Sequence, residues 1–582
     1  MPTLLQKASL AEPPRLRIGI PPACDDVENG QGAQERQENA VAVEDRPGLP
    51  KARFLMLGTG IGTGLFLAML DASIVSTSLY SISAEFPGSL ETINWVGLAY
   101  TLAFLSCAVL FARISDVIGR KAAFLSAYFI FIAFSVGCGF ARSLNQLIVL
   151  RALQGIGGSG LYSIAIIIFP EVATNEQKKL IAGFIGVILA VAGVLGPILG
   201  GILTEYATWR WVFWVNGPVG SVSAILFLLT WPEERYLPVL ERRKWSEVDY
   251  LGSFLLIASA ALLVFPFQNS SISYNQNPRQ NHWATPTFLA PLLASILCLT
   301  ALFAWQYFLH THQHQTSITA PAIPLSLLKN HVYTFTVLNT LCTGFPYLLA
   351  VYAFPLRFQV VNGRTALGAG VMMLPMLAGS AVGSALGGAV NGKGNRLSET
   401  LVVACGLTIV GCASLTTLSS SGESYEPKAL GLLVFLGLGF GLAATASSIL
   451  GTVESSAREH ATAQGIIAQV RILGGSLGIA CSSAVLGVEL TDNGRLSQLL
   501  SPEQLAHLAS TMSEGVLSEE QKNAVRVAYT DALWEDMVIS CAVAGLGLLF
   551  ALGVYRKGRL TIEESLARHV GGEEERKRRV ES

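Results

Sequence analysis

The feature that most constrains this chain is a series of uninterrupted apolar runs of roughly 20 residues, the length that crosses a hydrocarbon core about 30 Å thick. Fourteen such runs can be marked, near 54–80, 93–112, 122–141, 144–170, 181–205, 212–231, 250–268, 287–309, 332–357, 366–390, 399–419, 428–450, 462–487 and 537–555. Lipid offers no hydrogen-bond partner to an exposed peptide group, so every run must be helical. The expected fold class is therefore an all-α polytopic membrane protein. Composition agrees, with 51% hydrophobic and 14% charged residues, against about 25% charged in an ordinary soluble protein. The net charge of −1 argues against nucleic acid as a partner, because neutralising phosphates needs a basic face. Eight of the nine cysteines fall inside apolar runs and Cys24 lies in a polar tail. They read as small apolar packers, without a disulfide framework or paired metal spacing.

Residues 1–53 carry Pro, Gly, Glu and Arg with no apolar period, the composition of a disordered tail. The first apolar run is too long for a signal peptide and should remain as a spanning helix. Lys and Arg concentrate in alternate loops, including Arg113, Arg120, Lys121, Arg235, Arg242, Arg243, Lys244, Lys393 and Arg396. The positive-inside rule makes those loops cytoplasmic and places both termini there. Trp209, Trp211 and Trp214 then cluster at an outer interface, and the sequon Asn269-Ser270-Ser271 falls outside as a glycosylation candidate. The outer segment 488–536 is long. In it Ser518 and Gln521 form a capping-box pair before an amphipathic stretch, read as a solvated surface helix or a cap over the outer mouth.

Several short patterns sit inside or between these runs. The loop after the second run reads Ala112-Arg113-Ile114-Ser115-Asp116-Val117-Ile118-Gly119-Arg120-Lys121. Gly119 suits a tight turn, and Asp116 offers an acceptor to basic groups at the rim, an arrangement fit for a gate. Arg120 and Lys121 also serve simply to fix topology. Gly387, Asn391, Gly394 and Arg396 repeat the places of Ala112, Asp116, Gly119 and Lys121 eight runs later, which points to internal duplication. The fourth run holds Leu147-x3-Arg151-x2-Gln154-Gly155-Ile156-Gly157. An arginine in hydrocarbon costs at least about 2.5 kcal/mol unless it meets a partner or a cavity. The first run holds Leu70-Asp71-Ala72-Ser73-Ile74-Val75. Asp71 and Arg151 are expected at depths of ~13 Å and ~10 Å at 1.5 Å per residue, which favours a direct or water-bridged pair; snorkelling of Arg151 is the alternative. The fifth run carries Gly193-Val194-Leu195-Gly196-Pro197-Ile198-Leu199-Gly200-Gly201, where small residues permit close helix approach and Pro197 invites a bend. Arg471 precedes Gly474-Gly475 in the thirteenth run and serves either coupling or packing.

These patterns resemble, in order, the signature motifs of the major facilitator superfamily, and the sequence is similar to its fourteen-span drug:proton antiporters, including fungal toxin and multidrug efflux carriers. The likeness extends over about 54–555. It departs at Ala112, Ile114, Ser115 and Val117 in the loop motif, at Tyr80 where the family has a proline, and at Asn391 where the second loop lacks its acid. The resemblance implies two six-helix halves plus two additional helices. Residues 54–231 would form the N-terminal half, 232–331 a linker with the two extra helices, 332–555 the C-terminal half, and 556–582 a cytoplasmic tail. It further implies export of a small organic molecule, as drug, toxin or secondary metabolite, in exchange for protons by alternating access. Asp71, Arg151, Gln154 and Arg471 would serve coupling or the substrate cavity. Asp116, Gly119, Arg120 and Lys121 would form the gating loop, and Gly196, Pro197, Gly200 and Gly201 the antiporter motif. Proton-coupled uptake or exchange of a metabolite, such as a siderophore or amino acid, is the alternative within transport. A non-transporting membrane receptor is the alternative outside it. The expected setting is the plasma membrane, with the vacuolar membrane second, and the expected state a monomer.

Other signals carry less. Gly155 to Gly160 satisfies Gly-x-Gly-x2-Gly but lies inside an apolar helix with no βαβ unit around it. No Gly-x4-Gly-Lys-Ser/Thr loop is present, so ATP is not an evident energy source. His310, His312 and His314 alternate in a loop without a neighbouring acid or cysteine, a weak metal pattern. No cofactor, metal or enzymatic activity is expected. The C-terminal Arg576-Lys577-Arg578-Arg579 follows Glu573 to Glu575, which weakens any attraction to anionic headgroups.

Overall fold

A computed structural model describes residues 49–556, apart from 87–92, 94, 173–174, 234–235, 237–243, 277–284, 313–322, 392–395, 419–426, 456–459, 493–495, 497–498 and 501–516. Gly394, His314 and both tails, with Cys24, therefore lie outside the described residues. Among the described residues the regular structure is helical, without a β-strand.

In chain order the helices are α1 Lys51–Ile74, α2 Leu79–Glu85, α3 Trp95–Ile118, α4 Arg120–Gly139, α5 Leu144–Val172 and α6 Asn175–Tyr206. The short α7 Trp211–Trp214 leads into α8 Asn216–Thr230, and α9 Tyr250–Gln276 pairs with α10 Pro286–His312. Then come α11 Leu325–Lys329, α12 His331–Val360, α13 Ala366–Met372, α14 Leu374–Asn391, α15 Leu397–Leu415, α16 Pro427–Val453, α17 His460–Asp492 and α18 Glu519–Gly553. Among the described residues, thirteen spans are long and apolar enough to cross a membrane, and α6 covers the remaining expected run.

Two six-helix groups emerge from the packing. In the first, α5 lies between α3 and α4 while α1 packs on α6 and α8. In the second, α12 packs on α17 and α18, and α16 on α14 and α15. The α9–α10 hairpin supplies the two additional helices. Only α9 of this pair makes extensive contact with the bundle, through α17 and α3. Leu293 and Leu297 of α10 remain exposed, as expected of a lipid-facing surface.

The glycine stripe in α5 makes the first group compact. A Cβ at Gly155 would strike the Tyr100 carbonyl of α3, and one at Gly160 would lie 2.6 Å from the Ala127 Cβ of α4. The pattern that mimics a dinucleotide fingerprint is therefore a helix-packing surface.

Helix α1 breaks without a proline. A 3-10 turn, Val75–Thr77, separates it from α2. Ser73 donates to Leu70 O (3.1 Å), Ser76 to Ser73 O (2.8 Å) and Thr77 to Ile74 O (3.3 Å). Such back-bonding competes with the helical ladder and bends it, so a hydroxyl run does what the family's proline does elsewhere. The segment before the last run also differs from expectation. The capping box at Ser518 and Gln521 forms, but it opens α18, a single helix of 35 residues that continues into the last span. Ala524, Val525, Ala528 and Tyr529 bury its first turns against Leu356, Val361 and Leu486. That stretch is thus part of the bundle rather than a separate surface helix or cap.

Candidate functional site

The deepest polar cluster lies in the first group, where α1, α5 and α8 meet. Asp71, Arg151, Gln154 and Asn216 are all at most 1% exposed. Arg151 pairs with Asp71 through Nη1 and Oδ2. The other carboxylate oxygen, Oδ1, accepts from Gln154 Nε2 and Asn216 Nδ2, both at 2.9 Å. The donor set matches the anion: two amide hydrogens and a guanidinium converge on one carboxylate.

The arginine is held as firmly as its partner. Its Nη1 also donates to Gln154 Oε1 (2.8 Å) and its Nε to the Val96 carbonyl (3.0 Å). The guanidinium carbon lies 4.3 Å from the Tyr100 ring centroid and 5.4 Å from that of Phe213, distances at which the aromatic quadrupoles attract it. Gly97 leaves room for Tyr352 of α12, since a Cβ there would lie 2.5 Å from the Tyr352 ring. The Tyr352 hydroxyl donates to the Ala72 carbonyl (2.9 Å), one residue from Asp71. The buried cluster thus adjoins a contact between the two groups of helices.

Arg471 occupies a different setting on α17. Its Nη2 donates to Ser447 Oγ (2.9 Å) and to the Ala444 carbonyl (3.3 Å) on α16, while Nε has no hydrogen-bond partner among the described residues. No carboxylate lies within ion-pair distance of it among the described residues. The structure therefore keeps Arg471 apart from the Asp71 cluster.

The loop residues form a second network at one end of the first group. Gly119 adopts φ 90°, a conformation that glycine reaches without the Cβ penalty. That turn swings Arg120 back so that its Nη1 meets Asp116 Oδ1 (2.6 Å) and Ser115 Oγ (2.5 Å), and its Nη2 meets Glu171 Oε1 (3.1 Å). Arg113 approaches Asp116 at 3.9 Å. Lys121 is half-buried beside them and makes no ion pair among the described residues. Glu171, at the end of α5, escaped the sequence reading although an acid there faces the same rim as Arg120. Burial raises its carboxyl above the usual range while Arg120 pulls it down. Glu171→Gln should cost about 1 kcal/mol, seen as a lower thermal-unfolding midpoint in detergent. An unchanged midpoint would show that Asp116 and Ser115 hold Arg120 without Glu171. In the second group Asn391 is buried and bonds Gly387 O (2.8 Å) and Thr400 Oγ1 (3.0 Å), so it closes its own helix end without a charge.

The glycine-proline motif of α6 faces two ways. Cβ atoms at Gly196 and Gly200 would collide with Ser73 and Ile74 of α1, while one at Gly201 would lie 2.6 Å from the Leu367 Cα of α13. Pro197 carries the carbonyl against which Gly370 of α13 packs. Asn269 falls in α9, but its side chain is outside those described.

The family model for the Major Facilitator Superfamily matches residues 61–479. The chain belongs to that superfamily. An MFS-type transporter, FPY5, of Fusarium mangiferae is 31% identical over 496 residues, covering 83% of this chain and 81% of its own. An efflux pump, FUS6, of Gibberella fujikuroi is 26% identical, covering 94% and 97%. An MFS-type efflux pump, MMF1, of Pseudozyma antarctica is likewise 26% identical, covering 87% and 92%. Among solved structures, a bacterial homolog of the human lysosomal transporter Spinster shares the fold with a TM-score of 0.57 at 16% identity, over 90% of this chain and 99% of that one. This superfamily member is a multi-pass secondary transporter of small molecules, not an enzyme.

Proposed function

We propose that this transporter exports small organic molecules in exchange for protons, with Asp71 as the coupling acid. The observation that carries the reading is the cluster itself: a carboxylate with no solvent exposure, matched by Arg151, Gln154 and Asn216, four residues before the break in α1. Relatives described as efflux pumps support the outward direction.

Coupling follows from the competition for that carboxylate. When Asp71 takes a proton it loses its charge, and Arg151 loses the partner that compensates its own burial. Ala72 and Thr77 on the same segment accept from Tyr352 (2.9 Å) and Gln359 (3.4 Å) of the other group. A shift of α1 after protonation therefore acts directly on the contact between the two groups. The driving force is about 2.3 kcal/mol per 100 mV plus about 1.4 kcal/mol per pH unit. With both termini in the cytoplasm, the Glu85 end faces outward, and contacts of Gly201 with Leu367 and of Thr77 with Gln359 close that side. Arg471, which pairs with no carboxylate among the described residues, offers its guanidinium to an acceptor on the cargo. The protein acts in the plasma membrane and works as a monomer on this reading.

The test uses Asp71→Asn, which keeps shape and hydrogen bonding but cannot titrate. It should reach the membrane in normal amount and lose proton-driven efflux of a panel of lipophilic dyes from proteoliposomes. Efflux that still follows an imposed pH gradient in this variant would remove Asp71 from the coupling.

A further inference from the structure

A second carboxylate is buried in the other six-helix group, and nothing in the coupling scheme uses it. Asp536 of α18 is 2% exposed. It lines a cavity of about 40 Å³ between α12, α17 and α18, room enough for ordered water. Among the described residues its Oδ2 accepts one hydrogen bond, from Ser482 Oγ at 2.5 Å, whereas Oδ1 has no partner. Asp71 receives two amide donors and a guanidinium; Asp536 receives one hydroxyl among the described residues. Ile479, Leu486, Ala532 and Leu533 supply the apolar part of the wall. A carboxylate with so few donors is expensive to bury, and the neutral acid is not.

We propose that Asp536 is a second proton-binding site, held as the neutral acid while the Glu85 end is closed and open to exchange when Tyr352 releases Ala72. The ionisable groups around it fit this use. Tyr352 and Arg357 enter the cavity from α12 and Tyr529 from α18. Cys481 adjoins Ser482 on α17, and Glu535 precedes the acid on α18. Binding forms one O–H bond on the carboxylate, with the proton drawn from water, and breaks no other bond in the protein.

Tyr352 is the link to the transport cycle. It lines the Asp536 cavity on one side and donates to Ala72, beside Asp71, on the other. Tyr80 of α2 packs against the same apolar cluster as Leu356 and Tyr529. Separation of the two helix groups at this end would carry Tyr80 away from that cluster, free Tyr352 from Ala72 and admit water to Asp536. Asp536 would then exchange its proton when the end opens, in a conformation other than the one in which Tyr352 holds Ala72.

The experiment is infrared titration of the full-length protein in lipid nanodiscs, read at the carbonyl stretch of protonated carboxyl groups, with no cargo required. At neutral pH the wild-type spectrum should contain a band that Asp536→Asn removes and Asp71→Asn leaves in place. Ser482→Ala keeps the acid but deletes its hydroxyl partner, so the band should move in frequency. Tyr352→Phe removes the bond to Ala72, and the band should disappear at a pH lower by about one unit as water gains access. A wild-type spectrum without the band, a band that survives in Asp536→Asn, or one unmoved by Ser482→Ala would each overturn the assignment. Because no transport is measured, these outcomes are independent of whether Asp71 drives export.

Discussion

Replacing Arg151 with leucine should remove most folded protein from the membrane, the largest single-site effect expected in this molecule. The substitution leaves Asp71 with no solvent exposure and only the amides of Gln154 and Asn216 to face its charge. Breaking a buried pair by removing one partner costs about 3–5 kcal/mol, a large fraction of the stability of a typical protein. The loss extends beyond the ion pair. The guanidinium also satisfies the Val96 carbonyl and packs over Tyr100. The double variant Asp71→Asn/Arg151→Leu separates these contributions. It removes the unpaired charge, so folded yield should recover substantially while transport stays absent. Fluorescence-detected size exclusion of both variants, beside a dye-efflux assay, reads the two outcomes. If the single variant folds as well as wild type, the pair is not needed for the fold, and Arg151 is retained for another reason.

Much of this cluster is legible in the sequence. Asp71 and Arg151 had matching depths in their apolar runs, and a buried arginine demands a partner. The residues that complete it were not. Asn216 lies at the first position of α8, behind the Trp211 to Trp214 turn, where it looks like an ordinary helix-start residue. Only the approach of α8 to α1 brings its amide to Asp71. Long-range contacts between helices leave no periodic trace in sequence, and that is why Glu171 and Ser135 also went unnoticed. Ser135 accepts from the Asn216 amide at 2.9 Å.

Segment boundaries failed for a different reason. The apolar stripe of α18 begins at Ala524 and runs through Ala528, Ala532 and Leu533 at helical spacing, so the whole helix was present in the sequence. Arg526, Asp531, Glu535 and Asp536 lower the local hydropathy, so its first half reads as a solvated surface helix rather than as part of the bundle. The same interruption concealed Asp536, which stood at the rim of the expected span instead of inside the bundle. In α1 the family's proline is replaced by Tyr80, yet the helix breaks anyway. The run Ser73, Ser76, Thr77 holds the reason in its side-chain hydroxyls, a local signal weaker than proline but readable as back-bonding.

Gly201→Leu should abolish transport while leaving the protein folded, because it acts on one conformation and not on the chain as a whole. In the closed arrangement of the Glu85 end, a Cβ at position 201 would lie 2.6 Å from the Leu367 Cα and 2.8 Å from the Ala366 carbonyl. Both obstacles are backbone atoms, so no rotamer change relieves the overlap, and the two helix groups must separate. Every 1.4 kcal/mol of strain shifts a conformational equilibrium about tenfold; a clash of about 3 kcal/mol would move it more than a hundredfold toward the separated state. Leucine at 201 meets α13 of the opposite group, whereas a side chain at Gly200 would strike Ile74 of α1 and Thr77 of the adjoining 3-10 turn within the same group. The two substitutions should therefore differ. Gly200→Leu is expected to lower folded yield, and Gly201→Leu to preserve yield but speed hydrogen exchange in α13 and the end of α6. Alternating access requires both arrangements to be populated, so a transporter held open at one end cannot complete its cycle. Slow exchange in α13 together with normal efflux in Gly201→Leu would mean that this contact can yield without opening the end, and that closure depends on Tyr352 and Gln359 instead.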